Sequence, residues 1–222
     1  MKVDFCTAIR YNIKRKSTEE GGVPMNNINP LIMESITKNN NMVTTSQVLA
    51  LGFSKQILNK YVKEGLLERI RQGVYILPDA EHDDMYTLML RSKSIIFSHE
   101  SSLFLHGLSE RTPFVHNITM PSNKTLPGSI KDECVCYYIK PEWHKLGMTE
   151  AVTTFGNSVR CYDIERTICD FLRNRNRCDE ETVISAMKNY AGYKKKDLNR
   201  LSAYAELFKV NEELRKYMEV LL

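Results

Sequence analysis

The sequence predicts an α+β protein: an N-terminal winged helix-turn-helix followed by a mixed α/β domain with a helical C-terminal subdomain. Three observations carry that prediction. Between Val43 and Leu77 a short capped helix, a glycine turn, a second helix and a glycine-turned hairpin follow one another. From Val115 to Val159 the chain is rich in β-formers, and from Asp179 onward its periodicity is helical.

Residues 1–24 read as a tail, with Lys14-Arg15-Lys16 ahead of a Ser-Thr-Glu-Glu-Gly-Gly-Val-Pro run. Two origins fit it. Glu-Glu-Gly-Gly before Met25 can be encoded by a purine-rich ribosome-binding sequence, which makes Met25 the natural start and 1–24 a translated leader. A basic arm that reaches DNA is the other.

Pro30 suits the first position of a helix with Asn29 as its cap. Leu31, Ile32, Ser35 and Ile36 lead that helix to the Asn39-Asn40-Asn41 loop. Thr44 and Gln47 then form a capping box, and Val43 and Val48 a hydrophobic staple. Leu49 and Leu51 are expected to give this short helix its apolar contacts, and Gly52 to end it. Ser54 caps the next helix. Ile57, Leu58, Tyr61 and Val62 fall on one buried stripe, and Gly65 stops the run. Leu66 to Ile70 and Val74 to Leu77 are expected to be strands joined by the turn Arg71-Gln72-Gly73, where glycine supplies a positive φ.

The polar face of the second helix shows Lys55, Gln56, Asn59, Lys60 and Lys63, donors that match phosphates and base edges. With Thr45, Ser46 and Ser54 at the helix starts, and Arg69, Arg71 and Gln72 on the wing, they make the expected DNA-binding set. A structural or protein-binding winged helix is the bland alternative. The short helix, glycine turn, polar face and basic wing occur together, and that favours DNA.

Beyond residue 80 the expected elements are a helix from Asp83 to Ser92, a strand from Ser94 to Phe97, and a helix from His99 toward Gly107. Strands follow at His116 to Met120, Cys134 to Ile139, Val152 to Phe155 and Val159 to Tyr162. Trp143 is expected to pack. Asp163 caps a helix from Ile164 to Arg173. Asp179-Glu180-Glu181 and Asn211-Glu212-Glu213 place acids where helix dipoles favour them. The division is therefore 1–24, 25–80 and 81–222.

Charge supports that division. The net charge is only +4. Residues 42–77 carry five Lys/Arg against two Glu, whereas 81–222 carry twenty of each sign. A modest field that sits mainly in the winged helix and the N-terminal tail predicts site-specific binding that needs cooperation between copies. We expect a monomer in solution that cooperates on DNA. None of the six cysteines forms a C-x-x-C pair, so reduced thiols in a cytoplasmic protein are expected. No run of about 18 apolar residues suits a membrane span, and no metal or cofactor is called for.

Enzyme motifs are absent. There is no phosphate-binding Gly-x-x-x-x-Gly-Lys loop, no Gly-x-Ser-x-Gly elbow and no Asp-x-Asp pair. His99 and His106 lie seven apart and read as a polar core edge rather than a metal site. The densest polar cluster is Asp163, Glu165, Arg166 and Asp170. It reads either as a working surface for a ligand or partner, or as a capped helix start with an Arg166–Asp170 pair at i, i+4.

Three segments resemble the AbiEi antitoxin family. They are Gly65-Leu66-Leu67-Glu68-Arg69-Ile70-Arg71-Gln72-Gly73-Val74-Tyr75, His99-Glu100-Ser101-Ser102 running into His106-Gly107-Leu108-Ser109, and Asp163-Ile164-Glu165-Arg166-Thr167-Ile168-Cys169-Asp170. The resemblance spans roughly residues 29 to 222. It implies a bacterial antitoxin of an abortive-infection system acting against phage. Such an antitoxin counters a nucleotidyltransferase-like toxin without a stable complex, the type IV arrangement, and represses its own operon at inverted repeats in the promoter. It makes residues 81–222 the antitoxin domain and Asp163, Glu165, Arg166 and Asp170 its candidate surface. A plain repressor with a ligand-sensing or dimerising second domain is the alternative, and a nuclease using Asp163 and Glu165 a third.

Overall fold

A computed structural model describes residues 27–109 and 111–221; the readings of residues 1–24, and Cys6, lie outside them. The chain divides between Ala80 and Glu81 into two compact units. It is mixed α+β, with nine α-helices and two sheets among the described residues.

The first unit holds α1 (Pro30–Lys38), β1 (Met42–Thr44), α2 (Thr45–Ala50), α3 (Gln56–Lys63), β2 (Glu68–Arg71) and β3 (Val74–Ile76). The cap signals work as read. Asn29 Oδ1 accepts from Leu31 N at 3.0 Å. Thr44 Oγ1 accepts from Gln47 N at 3.2 Å, and Thr44 N donates to Gln47 Oε1 at 2.7 Å. Gly52 has φ +84, with Gly52 N bonded to Leu49 O and Phe53 N to Val48 O. That pair of bonds satisfies the last carbonyls of α2.

Two details differ from expectation. Leu49 and Leu51 are exposed, at 54% and 39%, because a six-residue helix has room for one buried position, and Val48 takes it. The sheet also has a third strand, order β1-β3-β2, both pairings antiparallel. Met42–Thr44 is too short to show alternation; it is a strand because β3 offers it a free edge. Ile32, Ile36, Val43, Val48, Leu58, Tyr61, Leu67 and Tyr75 form the core. The Tyr61 hydroxyl accepts from Asn29 N at 2.9 Å, tying α3 to the start of α1.

The second unit holds α4 (Asp84–Met89), β4 (Ile96–Phe97), α5 (His99–Leu105), β5 (His116–Pro121), β6 (Cys134–Ile139), β7 (Met148–Val152), β8 (Ser158–Tyr162), α6 (Ile164–Arg173), α7 (Glu180–Gly192), α8 (Leu198–Phe208) and α9 (Asn211–Leu221). Its sheet runs β6-β5-β4-β8-β7, parallel at β5–β6 and β4–β8, antiparallel at β4–β5 and β7–β8. The expected hairpin is present, but its first strand is Met148–Val152 rather than Val152 to Phe155. Thr153 N bonds Asn157 O, so 153–157 is the turn. Asp83 fixes that turn. One carboxylate oxygen caps α4 through Tyr86 N at 2.9 Å, while the other accepts from the Thr153 hydroxyl and from Asn157 Nδ2.

Helix α6 is buried from Ile164 through Leu172. Ile168, Phe171 and Leu172 pack with Met187 and Tyr190 of α7 and Leu201 and Ala205 of α8. Just before β7, Gly147 has φ +71, and a Cβ there would lie 2.9 Å from Arg166 Cβ and 3.0 Å from the Tyr204 hydroxyl oxygen. Gly147→Ala should cost about 2 kcal/mol, from the left-handed backbone and the crowding together. A shift in urea midpoint worth under about 0.5 kcal/mol would mean that the turn relaxes freely.

Candidate nucleic-acid interface

Helix α3 sorts its side chains by face. Leu58 and Tyr61 are buried and Ile57 and Val62 half-buried, while Lys55, Gln56, Asn59, Lys60 and Lys63 are all exposed. Gln56, Asn59, Lys60, Lys63 and Glu64 line a depression of about 460 Å³ on that outer face. Lys60 Nζ is 3.8 Å from Glu64 Oε1 with both groups in solvent, a weak contact that leaves the ammonium available. The helix begins at Gln56, one residue later than the Ser54 cap implies, because Lys55 sits in a turn. Ser54 nevertheless accepts from Gln56 N at 3.3 Å, so it still serves the helix start.

The hairpin turns more tightly than expected. Arg71 pairs with Val74 inside the ladder, so the loop is Gln72-Gly73, and a bulge lies between Arg69 and Arg71. Gly73 has φ +75, and a Cβ there would meet Thr45 Oγ1 at 3.3 Å. Thr45 N donates to Gly73 O at 2.9 Å. The hairpin turn is thereby held against the start of α2. No local pattern announced this bond, since its partners are 28 residues apart. Thr45 is partly occupied by it, whereas Ser46, Ser54, Arg69 and Gln72 are exposed and Arg71 is half-buried. Arg69 Nε lies 3.4 Å from Arg71 O. Eight of the exposed or half-exposed side chains in the expected set are cationic or amide groups on α3 and its lead-in turn or on the hairpin, a surface of donors suited to phosphate and base edges.

The second expected site is not a surface. Arg166 and Asp170 are each 0% exposed and Glu165 is 5%. Arg166 Nε donates to Asp170 Oδ2 at 3.0 Å, and Nη1 donates to the carbonyls of Trp143 and Leu146 at 3.1 and 3.0 Å. Its guanidinium lies between the Tyr162 and Phe208 rings, 4.3 Å from each centroid. Glu165 accepts from Asp197 N at 2.9 Å. Asp163 caps α6 through Arg166 N at 2.7 Å and accepts from the Tyr204 hydroxyl at 2.9 Å. Burial pushes its carboxyl above the usual range, against those hydrogen bonds. The group therefore welds α6 to α8 and to the 143–146 turn. Of the two readings of this cluster, the burial fits the capped helix start with an Arg166–Asp170 pair rather than an exposed working surface: adjacent elements cover Glu165, Arg166 and Asp170 and leave Asp163 half-buried, and the spacing of charges on a helix does not reveal that cover.

His99 and His106 also point to structure. His99 Nδ1 is 3.0 Å from Ser98 Oγ, and His106 Nε2 is 2.7 Å from Tyr162 O. The five described cysteines are free thiols. Burial pushes Cys161 and Cys169 up to about 12. No helix among the described residues is long and apolar enough to cross a membrane.

None of the curated proteins matches this chain. Among solved structures, the crystal structure of the RV2827C protein from Mycobacterium tuberculosis is similar in fold, with a TM-score of 0.56 at 12% identity over 79% of this chain and 70% of that one. At that identity the likeness concerns fold alone. Residues 31–78, from within α1 to just past β3, match the family model described as "Transcriptional regulator, AbiEi antitoxin", so the resemblance seen in the hairpin residues holds for that stretch of the chain.

Proposed function

We propose that the first unit is a winged helix-turn-helix that represses its own operon by binding inverted repeats in the promoter. In the same reading the whole chain is an antitoxin that counters a nucleotidyltransferase-like toxin in phage abortive infection, without a stable complex. The observation that carries the first half is the outer face of α3. Lys55, Gln56, Asn59, Lys60 and Lys63 are all in solvent there, with the basic hairpin strand β2 in the same unit. The family match over residues 31–78 supports the second half. No catalytic step is part of this reading.

In it, α3 enters the major groove and Lys55, Gln56 and Asn59 read base edges, while Lys60, Lys63, Arg69 and Arg71 hold phosphates. Gln56→Ala or Asn59→Ala should then cost about 1–3 kcal/mol on the operator and less on random DNA. Arg71→Ala should weaken all sequences alike and lower the salt slope by about 1. Gel shifts of the full chain across a salt series read both effects. Full-strength binding by the Arg71 variant at every salt concentration overturns the wing assignment. Growth rescue on co-expression with the adjacent gene tests the antitoxin half. The Gln56 and Asn59 variants should rescue fully while losing repression, and loss of rescue in step with loss of DNA binding would reduce the chain to a repressor.

A further inference from the structure

Two clefts of the second unit share one wall. The larger, about 880 Å³, is lined by the segment after α5 and the C-terminal half of α7. Arg111, Lys188, Lys194 and Lys195 line it, and no carboxylate does among its described residues. The smaller, about 350 Å³, shares Leu108, Ser109, Arg111, Ser185 and Asn189 with it and adds Glu100, Asp179, Glu181 and Phe114. Asn189 Nδ2 donates to Leu108 O at 2.8 Å, which fastens the loop to α7 where the clefts meet. The channel is therefore basic at one end and acidic at the other, with Arg111 between.

Each end has its own chemistry. Four cations around one hollow create a field that favours a multiply charged anion over water. At the other end Glu100 is half-buried, and burial together with the neighbouring Asp179 raises its pKa, with Arg111 opposing. Phe114, which lines the same cleft, is fully exposed, at 101%. An aromatic ring that contributes nothing to its own core is available for stacking. A charged peptide segment would satisfy the two ends but leave the bare ring unexplained. A nucleotide uses all three features.

We infer that these clefts form one nucleotide-binding channel, with phosphates among Arg111, Lys188, Lys194 and Lys195 and the base stacked on Phe114 beside Glu100. A single carboxylate accepts two adjacent donors best, and guanine presents such a pair on its Watson–Crick edge; uracil presents one. The channel therefore prefers guanine to uracil. The nucleotide is either a free triphosphate or the end of a single strand.

The test uses the full chain carrying Arg69→Ala and Arg71→Ala, so that the first unit contributes little. Fluorescence anisotropy at low salt reads a labelled GTP, a labelled UTP and a labelled single-stranded RNA octamer. Lys188→Ala/Lys194→Ala/Lys195→Ala should weaken binding at least tenfold, and Phe114→Ala several-fold. Lys131→Ala, an exposed lysine outside the channel, should change nothing. Glu100→Gln should narrow the gap between GTP and UTP. All six of these residues are at least partly exposed, and unchanged melting temperatures confirm intact folds. Tight GTP binding assigns the free nucleotide as the source; octamer binding alone, with the same sensitivities, assigns a strand end. The proposal is overturned if neither probe binds at micromolar concentrations, or if the Lys131 variant loses as much as the triple variant. It is equally overturned if inorganic tripolyphosphate competes as well as GTP with no effect of Phe114. Protection of Phe114 by a protein, with no nucleotide bound, would make the channel a docking site instead.

Discussion

Arg166→Ala should destabilise the second unit by about 3–5 kcal/mol, the scale of breaking a buried ion pair by removing one partner. The variant strands Asp170, which is 0% exposed and whose nearest other cation is Arg173 at 3.6 Å. It also frees the carbonyls of Trp143 and Leu146 from their donor and opens a gap between the Tyr162 and Phe208 rings. For a unit of this size the midpoint should fall by roughly 10 °C. A second variant separates charge from packing. Arg166→Met with Asp170→Leu keeps volume and removes both charges, so it should recover much of the loss. Thermal denaturation of wild type, the single variant and the double variant measures this. A loss below about 1 kcal/mol in Arg166→Ala would mean that the pair is solvated. Growth rescue measured on the same proteins should follow the folded fraction, because a side chain with no exposed area presents nothing to a partner.

That cluster also shows where the sequence runs out. Helix α6 was legible to the residue, Ile164–Arg173 with Asp163 as cap, because a cap and a helical period are local signals. The capping box of α2 and strand β6 were legible for the same reason. Burial of the charges on α6 was not. An i, i+4 pair reads the same on an exposed face and in a core, and the deciding neighbours, Trp143, Leu146 and Phe208, are 20 to 42 residues away in the chain. Strand β1 was missed because three residues carry no period. The start of β7 was misplaced because Val152 to Phe155 looks as β-prone as Met148–Val152; only Asp83, reaching Thr153 and Asn157, makes the former a turn. The outer face of α3 is readable because Gln56, Asn59, Lys60 and Lys63, with Lys55 in the turn before them, follow from the buried stripe by subtraction. The Thr45–Gly73 tie, which sets the hairpin against α2, was not.

Acidification should unfold the second unit partly through His99. This residue opens α5 with φ +49 and is 1% exposed. Its ring stacks on Tyr137 at 3.7 Å and meets the edge of Phe171 at 5.3 Å. Asn174 Nδ2 also donates to Asp170 O, which fixes the amide orientation, so Nε2 of His99 must accept from Asn174 at 3.2 Å. The remaining proton then sits on Nδ1 and points to Ser98 Oγ. A second proton would set N–H against N–H in a buried site. Burial, helped by the charges of Arg173 and Arg177 and opposed by Asp170, pushes the imidazole down to about 4. Because the folded value lies below the unfolded one, near 6.5, the unfolded chain takes up the proton first as pH falls. The stabilisation is complete above about pH 6.5 and is lost progressively down to about pH 4, some 3 kcal/mol in all. His144, lowered by burial as well, adds the same sign. Glu100 and Asp163, raised by burial, act in the opposite direction. The difference between wild type and His99→Gln isolates the term. Urea midpoints from pH 7.5 to 4 should converge between the two proteins as pH falls, because only the wild type carries this titration. Parallel curves over the whole range would mean that His99 titrates normally and that its site admits water.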